Sequence, residues 1–415
     1  MANILYLVHR LPFPPNKGDK VRSYHLLKHL AAKHRVFLGT FVDDPEDEVH
    51  IDTVRRLCAD LHVSRLNPIT AKVRSLRALI DGRPLSLAYY ADSAMRKWVT
   101  QTRANSQIDA VVVFSSAMGQ YASQLGGAVN CPVLIDFVDV DSTKWSQYAS
   151  NHRWPLSWIY AREGRRLLQY ERALASHARR SFFVTDNEVA LFMGLAPELE
   201  GAVEAVGNGV DSDFFSPSPD CATPYLSDEL PVVFTGAMDY WPNIDAATWF
   251  AQDMMPTLRR GNDRIRFYIV GRSPTPAIRA LSSDHVVVTG TVADVRPYLQ
   301  YAAAVVAPMR IARGVQNKVL EAMSMGRPVI AARECVDAIS AVDGEELLAA
   351  QSPSEFVDAV QTLLSQPDTA DRVGATGRAC VVRRFSWDAH LSGIDRYLPA
   401  GSNNTSTSGL SHVQV

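Results

Sequence analysis

The chain has 415 residues, of which 47% are hydrophobic and 21% charged, and its formal net charge is −2. This length exceeds what one hydrophobic core usually supports, so it predicts two domains. A net charge so close to zero excludes a global field that would recruit nucleic acid. The five cysteines are odd in number and include no C-x-x-C pair, which argues against a disulfide framework or zinc site and is typical of a reducing cytosol.

The first half of the chain alternates short apolar runs with helical patterns, which predicts parallel α/β layers. The N-terminal MANILYLVHR lacks a basic n-region, so it predicts a first strand rather than a signal peptide. No stretch approaches 18 apolar residues, and we expect no membrane-spanning helix. A helix over Ser23–Ala32 should follow the first strand. The strands expected in this half are Ile4–Val8, Val36–Phe41, Ala110–Phe114, Val133–Asp136 and Ser181–Val184.

The loop PFPPNKGDKVRSY, residues 12–24, is a candidate binding segment in the N-terminal half. Gly18 would let backbone amides approach a phosphate or a sugar, while Lys17, Lys20 and Arg22 supply positive charge. The alternative is a plain surface loop whose basic side chains are hydrated.

Acidic FVDVDS, residues 137–142, follows the fourth expected strand. Asp136, Asp139 and Asp141 could suggest a divalent metal, but the segment lacks the Gly and the distal Glu of a calcium loop. We therefore expect no metal. A contact with substrate through Asp139, or capping of the loop, is favoured instead.

Residues 144–180 carry eight Lys and Arg against two Glu, interleaved with Trp and Tyr. A basic, aromatic surface is what an interfacial membrane contact requires, because anionic headgroups attract Arg and indole rings settle at the boundary. A long amphipathic helix packed on the sheet, with a solvated basic face, explains the same pattern. Nucleic-acid binding is disfavoured by the net charge and the lack of a recognition motif.

The second half repeats the α/β alternation after a segment rich in Gly, Pro, Ser and Asp, residues 206–231, where we place the interdomain linker. We expect a ligand site at the carboxyl ends of the strands. The expected strands are Pro231–Thr235, Ile265–Val270, His285–Thr289, Ala304–Pro308 and Pro328–Ala332.

The segment APMRIARGVQNKVLEAMSMGRPVIAA, residues 307–332, is the most informative in the chain. It predicts a strand, a short loop and a helix that begins near Val315 and ends at Gly326. Backbone at Gly314 and the free N–H groups of the helix suit a phosphate. The Glu321 carboxylate can accept two hydroxyl protons of a ribose. The alternative is an ordinary βα unit with solvated charges.

GVQNKVLEAMSMGRPVI (314–330) resembles the donor-site signature of retaining family-4 glycosyltransferases, which have the GT-B fold. KGDKVRSYHLL (17–27) resembles their glycine loop, NGVD (208–211) their interdomain strand region, and FTGAMDYWPN (234–243) their first C-domain turn. With LVHRLPFPPNKGDK (7–20) and DVRPYL (294–299), the chain resembles sugar transferases of bacterial exopolysaccharide and PEP-CTERM systems.

This resemblance implies an α/β fold with two Rossmann-like domains facing each other across a cleft. It implies an N-terminal acceptor domain (1–206), a C-terminal nucleotide-sugar donor domain (207–384), a helix returning to the N-domain (385–400) and a disordered tail (401–415). We expect the catalytic residues to be Asp139, Arg313, Lys318 and Glu321, with Glu321 holding the ribose and Asp139 near the anomeric centre. The residues expected at the donor are Gly18, Gly236, Arg310, Arg313, Gly314, Val315, Asn317 and Lys318.

The chain also departs from the family pattern. Many members carry Glu-x7-Glu, but Arg313 stands eight positions before Glu321. The Arg and Lys that usually follow the first C-domain strand are replaced by MDYWPN (238–243). We therefore expect Arg310, Arg313 and Lys318 to neutralise the diphosphate.

The resemblance implies a metal-independent, retaining transferase of the hexosyltransferase type, with no cofactor beyond the nucleoside-diphosphate sugar donor. The acceptor would be a glycan or a lipid-linked sugar in exopolysaccharide biosynthesis, used in the cytoplasm or at the inner face of the plasma membrane. Two alternatives stay open: a GT-B nucleotide-sugar epimerase, and a non-catalytic nucleotide-binding partner in a polysaccharide assembly complex. The lack of G-x-S-x-G, H-E-x-x-H, P-loop and G-x-G-x-x-G motifs disfavours hydrolases, proteases, kinases and dehydrogenases.

Overall fold

The computed structural model describes residues 1–15, 18–122, 131–150, 152–310 and 315–399. It divides the chain into two compact units. The first comprises Met1–Asn208 and the described residues from Leu391 onward, and the second comprises Gly209–His390. The junction at Asn208 lies in the Gly- and Pro-rich segment 206–231. The expected tail, 401–415, lies outside the described residues.

The first unit is built on a seven-stranded parallel sheet in the order β3-β2-β1-β4-β5-β6-β7. Its central strand, Ala110–Phe114, is apolar and buried along its whole length, because helices cover both faces of such a sheet. Its strands are β1 (Asn3–Val8), β2 (Arg35–Val42), β3 (Asp60–Arg65), β4 (Ala110–Phe114), β5 (Val133–Val138), β6 (Arg180–Phe183) and β7 (Val203–Ala205).

The connections between these strands are helical. Its described helices are α1 (Gly18–Lys33), α2 (Ile51–Arg55), α3 (Pro68–Ser75), α4 (Ala78–Asp81), α5 (Leu85–Tyr89), α6 (Ser93–Asn105), α7 (Gly119–Ala122), α8 (Asp141–Ser150), α9 (Leu156–His177) and α10 (Asp186–Leu195).

The second unit is built on a six-stranded parallel sheet in the order β10-β9-β8-β11-β12-β13. Its strands are β8 (Leu230–Thr235), β9 (Ile265–Val270), β10 (Val286–Gly290), β11 (Ala304–Ala307), β12 (Val329–Ala332) and β13 (Leu348–Ala350). Its helices are α11 (Trp241–Trp249), α12 (Met255–Gly261), α13 (Pro276–Arg279), α14 (Arg296–Gln300), α15 (Asn317–Ser324), α16 (Arg333–Ile339), α17 (Pro353–Ser365) and α18 (Pro367–Arg384).

A last helix, α19 (Trp387–Asp395), brings the chain back to the first unit. The Asp395 carboxylate lies 2.5 Å from Lys33 Nζ and 2.8 Å from His29 Nε2, both on α1. Further along, Tyr397 donates a hydrogen bond to Glu204 on β7. These contacts attach the C-terminal segment to α1 and to the edge strand β7 of the first unit.

The expected parallel α/β organisation is confirmed, and all ten expected strands are present with ends that differ by at most two residues. The helix expected over Ser23–Ala32 begins earlier, at Gly18, and ends at Lys33. The helix expected near Val315 begins at Asn317. Gly326 has a φ of +69°, the left-handed conformation expected just beyond the end of that helix. None of the helices in the described residues is long and apolar enough to cross a bilayer.

Candidate functional site

A pocket of about 720 Å³ lies at the carboxyl edge of the second sheet. The loops after β8, β9 and β10 line it together with the first turns of α15, which follows β11. Successive strands of this sheet are added on one side of β8 as far as β10 and on its other side from β11 onward, so the strand order switches between β8 and β11. Open α/β sheets bind ligands at such a topological switch point, so the pocket occupies the expected place.

Two glycines form the floor of this pocket, and neither position tolerates a side chain. A Cβ atom at Gly236 would lie 2.6 Å from the Asn243 amide nitrogen and 3.2 Å from Lys318 Nζ. A Cβ at Gly271 would overlap the Gly236 backbone. The ends of β8 and β9 therefore lie close together, and their bare backbone faces the pocket.

Lys318 lies in the first turn of α15 and is held from three sides. Its ammonium group donates a hydrogen bond to the Asn243 side-chain oxygen, lies 3.8 Å from Met309 Sδ and sits 4.5 Å from the centre of the Phe234 ring. Burial lowers the pKa of Lys318 to about 8. The ammonium group is therefore fixed in position and poorly hydrated, which strengthens its interaction with an anion.

Glu321 lies three residues further along α15, on the same side of the helix as Lys318. Burial raises the pKa of its carboxyl group to about 7, and the nearby Lys318 charge opposes that shift. Among the described residues, none donates a hydrogen bond to this carboxylate. A half-buried acceptor without a partner in a pocket is suited to paired hydroxyl groups of a ligand.

Val315, in the loop that leads into α15, and Asn317, the first residue of that helix, both line the pocket. Two further expected donor residues, Arg313 and Gly314, lie outside the described residues. The N-terminal end of α15 itself opens onto the pocket and carries unpaired backbone N–H groups of the kind that bind phosphate.

The arginines near the pocket differ from the expectation. Arg310 is turned away: its Nε lies 3.0 Å from the Asp245 carboxylate, its guanidinium packs over the Trp249 ring, and it is not among the described residues that line the pocket. Arg272, which sequence reasoning missed, lines the pocket directly after Gly271, and no described carboxylate pairs with it. The sequence did contain an indication of this role, since Arg272 lies just beyond the carboxyl end of the expected strand Ile265–Val270.

The expectation that Lys20 and Arg22 are exposed cations on a loop is wrong. Both side chains lie on α1 and are buried: Lys20 Nζ lies 2.6 Å from Asp47, and Arg22 Nε lies 2.7 Å from Asp136. Arg22 also donates to the side-chain oxygen of Asn208, at the end of the first unit. These pairs stabilise the first unit.

Of the other two candidate residues in that loop, Gly18 lies within the described residues and Lys17 does not. Gly18 begins α1, and nothing lies within 4 Å of the position its Cβ would occupy. The backbone of Gly18 is therefore accessible from this side. Lys17 lies outside the described residues.

Asp139 follows β5 at the carboxyl edge of the first sheet. The residue before it, Val138, has a φ of +69°, a strained conformation for a β-branched residue. Asp139 and Asp141 share Lys144, at 2.8 and 3.0 Å, while Asp136 is occupied by Arg22. Within the described ranges no cluster of three His, Cys, Asp or Glu side chains could hold a metal ion.

The basic and aromatic segment 144–180 forms a hairpin of α8 and α9. Trp145 and Tyr160 pack against each other within it. Trp154 and Trp158 instead lie on the surface, 80% and 51% exposed. The hairpin therefore packs on the unit and leaves an aromatic end exposed, and a membrane contact through that end stays a prediction.

Two parallel-sheet α/β units, the second with a pocket at the carboxyl edge of its sheet, have the architecture of the GT-B fold of glycosyltransferases. Residues 229–366, most of the second unit, match the family described as "Glycosyl transferases group 1". No curated protein matches the chain significantly. The family match and the fold together support a glycosyltransferase.

Solved structures of that fold align with nearly the whole chain. Sucrose-phosphate synthase from Thermosynechococcus elongatus is 18% identical, with a TM-score of 0.58 over 95% of this chain and 98% of that one. Anabaena HepE, solved in complex with UDP, is 14% identical, with a TM-score of 0.58 over 95% and 99%. A glycosyltransferase from Rickettsia africae is 15% identical, with a TM-score of 0.57 over 95% and 97%. At these identities the likeness shows the fold.

Proposed function

We propose that this chain transfers a sugar from a nucleoside-diphosphate sugar whose nucleotide binds in the pocket of the second unit. The observation that carries the proposal is the pairing, in one pocket, of the unpartnered Glu321 carboxylate with the fixed Lys318 ammonium group. A nucleoside diphosphate presents a ribose diol and an anionic diphosphate, which match these two groups. Structures of HepE with UDP and with UDP-glucose support this class of donor.

Each part of the pocket has a role in this proposal. Glu321 accepts hydrogen bonds from the two ribose hydroxyls. The bare backbone at Gly236 and the N-terminal end of α15 approach the diphosphate, and Lys318 and Arg272 neutralise it. Phe214, Val292 and Val295 provide an apolar wall that suits the base.

The reaction breaks the bond between the anomeric carbon and the diphosphate oxygen and forms a bond from that carbon to the acceptor oxygen. The acceptor hydroxyl proton passes to the departing diphosphate. We propose attack on the same face, which retains the anomeric configuration, with no protein nucleophile and no metal ion. Fixed cations and backbone amides lower the barrier by stabilising the charge that develops on the leaving group.

The family-4 resemblance extends the proposal to the acceptor and the cellular role. We propose a glycan or lipid-linked acceptor in exopolysaccharide biosynthesis, with Asp139 close to the reacting carbon. The transfer takes place on the cytoplasmic side, where nucleotide sugars are available to the enzyme.

The test is a thermal-shift screen against UDP-, GDP-, ADP- and dTDP-sugars and the corresponding diphosphates. A ligand that binds only the native state raises the melting temperature. We expect one nucleotide class to raise it, Glu321→Ala to abolish the shift, and Glu334→Ala, an exposed Glu of α16 in the same unit, to retain it. No shift with any nucleotide would contradict the proposal. If the protein converted the donor sugar to its epimer in the absence of an acceptor, its activity would be epimerisation and not sugar transfer.

A further inference from the structure

Two helical segments that connect strands, which we call insertions, leave the carboxyl edge of the first sheet. One, residues 67–92, follows β3 and contains α3, α4 and α5; the other is the α8–α9 hairpin, which follows β5. Helix α9 has 22 residues, about 33 Å, whereas the six residues of β5 span about 20 Å. Because α9 ends just before β6 begins, its first turns extend beyond the carboxyl edge.

The two insertions are joined by buried polar contacts. Arg162 of α9 donates hydrogen bonds to the backbone oxygens of Ala78, at 2.5 Å, and Arg83, at 3.2 Å. The neighbouring Glu163 carboxylate accepts the backbone N–H groups of Leu85 and Ser86, at 2.6 and 2.9 Å. Buried contacts of this kind hold the insertions in one fixed arrangement.

The apolar stripe of the first insertion faces away from the protein. Large apolar side chains recur at helical spacing at Ile69, Val73, Leu76 and Ile80, and Ile69 and Ile80 are 74% and 92% exposed. The small residues Ala71, Ser75 and Ala78 are the ones that pack inward. A surface helix normally buries its apolar stripe, so this segment presents the face that needs a partner.

Next to these contacts, the hairpin exposes apolar and aromatic side chains of its own. Trp154, Leu156 and Trp158 are exposed at the start of α9. Trp158 lies one turn before Arg162, on the same side of the helix, and Arg162 binds the Ala78 carbonyl. We call the combined set the apolar edge surface: Ile69, Val73, Leu76, Ile80, Trp154, Leu156 and Trp158.

The charges beside this surface are positive. Lys72, Arg74 and Arg77 are exposed between the apolar residues of the first insertion. Segments 67–83 and 152–166 contain two carboxylates in all. Asp81 is paired with Arg83 at 2.7 Å, and Glu163 is buried. A basic surface with exposed aliphatic and indole side chains complements an anionic bilayer.

We propose that the apolar edge surface docks this chain on an anionic lipid bilayer. A second copy of the chain is a poorer occupant, because it would bring two such basic surfaces together. The insertions arise from the edge of the sheet that carries Asp139, so lipid held there lies beside the proposed acceptor region. The role of that lipid as acceptor rests on the proposed function, whereas the docking does not.

The test is flotation of the full chain with phosphatidylcholine vesicles and with vesicles that contain roughly 30% phosphatidylglycerol. We expect binding to the anionic vesicles only. Ile69→Glu/Ile80→Glu should weaken that binding about tenfold or more, because it places charge at the lipid contact. The matched control is Val49→Glu, which alters a residue that is 77% exposed in the same unit but outside the surface, and it should bind like the wild type.

A second variant separates charge from apolar contact. Lys72→Gln/Arg77→Gln should weaken binding roughly tenfold, since each basic residue near an anionic surface contributes to the attraction. Equal binding of wild type and Ile69→Glu/Ile80→Glu, or no binding to anionic vesicles, would overturn the proposal. Dimerisation that Ile69→Glu/Ile80→Glu abolishes, without lipid binding, would assign the surface to a second copy. The nucleotide-induced thermal shift, measured on the same variants, tests the donor site separately.

Discussion

Gly271 and Gly236 lie so close together that a Cβ atom on Gly271 would sit 1.7 Å from the carbonyl oxygen of Gly236. The two residues directly follow neighbouring strands, β9 and β8, and form the floor of the pocket in the second unit. The absence of both side chains lets the strand ends lie together and leaves their backbone facing the pocket. The shape of the pocket therefore depends on a contact between two backbones.

Gly271→Ala should separate the two strand ends and abolish nucleotide binding. We expect a loss of about 1–3 kcal/mol in the free energy of unfolding, as for overpacking elsewhere. The control is Gly261→Ala, where the new methyl group meets only the flexible Gln361 side chain. Thermal shift with and without nucleotide measures both effects. Nucleotide binding by Gly271→Ala at wild-type affinity would show that the floor does not contact the ligand.

Affinity for a nucleotide sugar should be greatest between about pH 7 and pH 8. Glu321 must be ionised to accept ribose protons; its pKa is raised to about 7, so affinity falls as the pH falls below that value. Lys318 must be charged; its pKa is lowered to about 8, so affinity falls as the pH rises above that value. Titration calorimetry from about pH 5.5 to about pH 9.5 measures this profile.

A nucleoside-diphosphate sugar is the appropriate ligand for that profile, because a free terminal phosphate would itself titrate near pH 6. Glu321→Gln should remove the fall in affinity on the acidic side and leave the fall on the alkaline side. If the affinity of Glu321→Gln still falls as the pH is lowered below about 7, a group other than Glu321 causes that fall.

Arg272 and Arg310 provide a matched pair of cations in the second unit. Arg272→Met should weaken binding of a nucleoside diphosphate roughly tenfold, because it removes a charge-assisted contact, and should leave binding of the nucleoside unchanged. Arg310→Met should change diphosphate binding by less than about threefold, since Arg310 is engaged by Asp245. The reverse order of effects, measured by calorimetry, would place the diphosphate beside Arg310 instead.

The buried pair of Arg22 and Asp136 should contribute to stability far more than a surface pair of equal length. Arg22→Met leaves a buried carboxylate without its cation and should cost about 3–5 kcal/mol. Arg65→Met breaks an exposed pair with Glu48, also at 2.7 Å, and should destabilise the protein far less, because water screens that pair. Denaturant unfolding compares them. Similar losses in both variants would show that burial adds nothing to the Arg22 pair.

The strands that sequence reasoning missed share one position in the fold. β3, β7 and β13 each lie at an edge of a sheet. Interior strands such as β4 are covered on both faces, and their unbroken apolar runs are visible in the sequence. β3 reads DLHVSR and is only partly buried, and β7 and β13 have three residues each. Such short or mixed segments carry no periodic signal.

Which residues of the candidate site could be predicted depends on how close together they lie in the sequence. Lys318, Glu321, Val315 and Asn317 could be predicted together, because one loop and one helix bring them to the pocket. The sequence placed Arg272 at the carboxyl end of an expected strand, but only the pairing of β9 with β8 brings that end to the pocket, and a local pattern does not show this pairing.

The error at Lys20 and Arg22 has the same origin. Their partners, Asp47 and Asp136, lie 27 and 114 residues away in the sequence. A local motif of basic residues beside a glycine therefore indicated exposed cations, whereas the tertiary structure buries each of them against a carboxylate.

Titration calorimetry with a nucleoside diphosphate and its 2′,3′-dideoxy analogue tests the central claim, that Glu321 binds the ribose of the donor, most directly. Two hydrogen bonds to a charged carboxylate contribute enough that Glu321→Ala should weaken ribonucleotide binding about 100-fold. The same substitution should change binding of the dideoxy analogue by less than about threefold, because the partner hydroxyls are gone. An equal loss for both nucleotides, or no loss for the ribonucleotide, would contradict the assignment of Glu321 to the ribose.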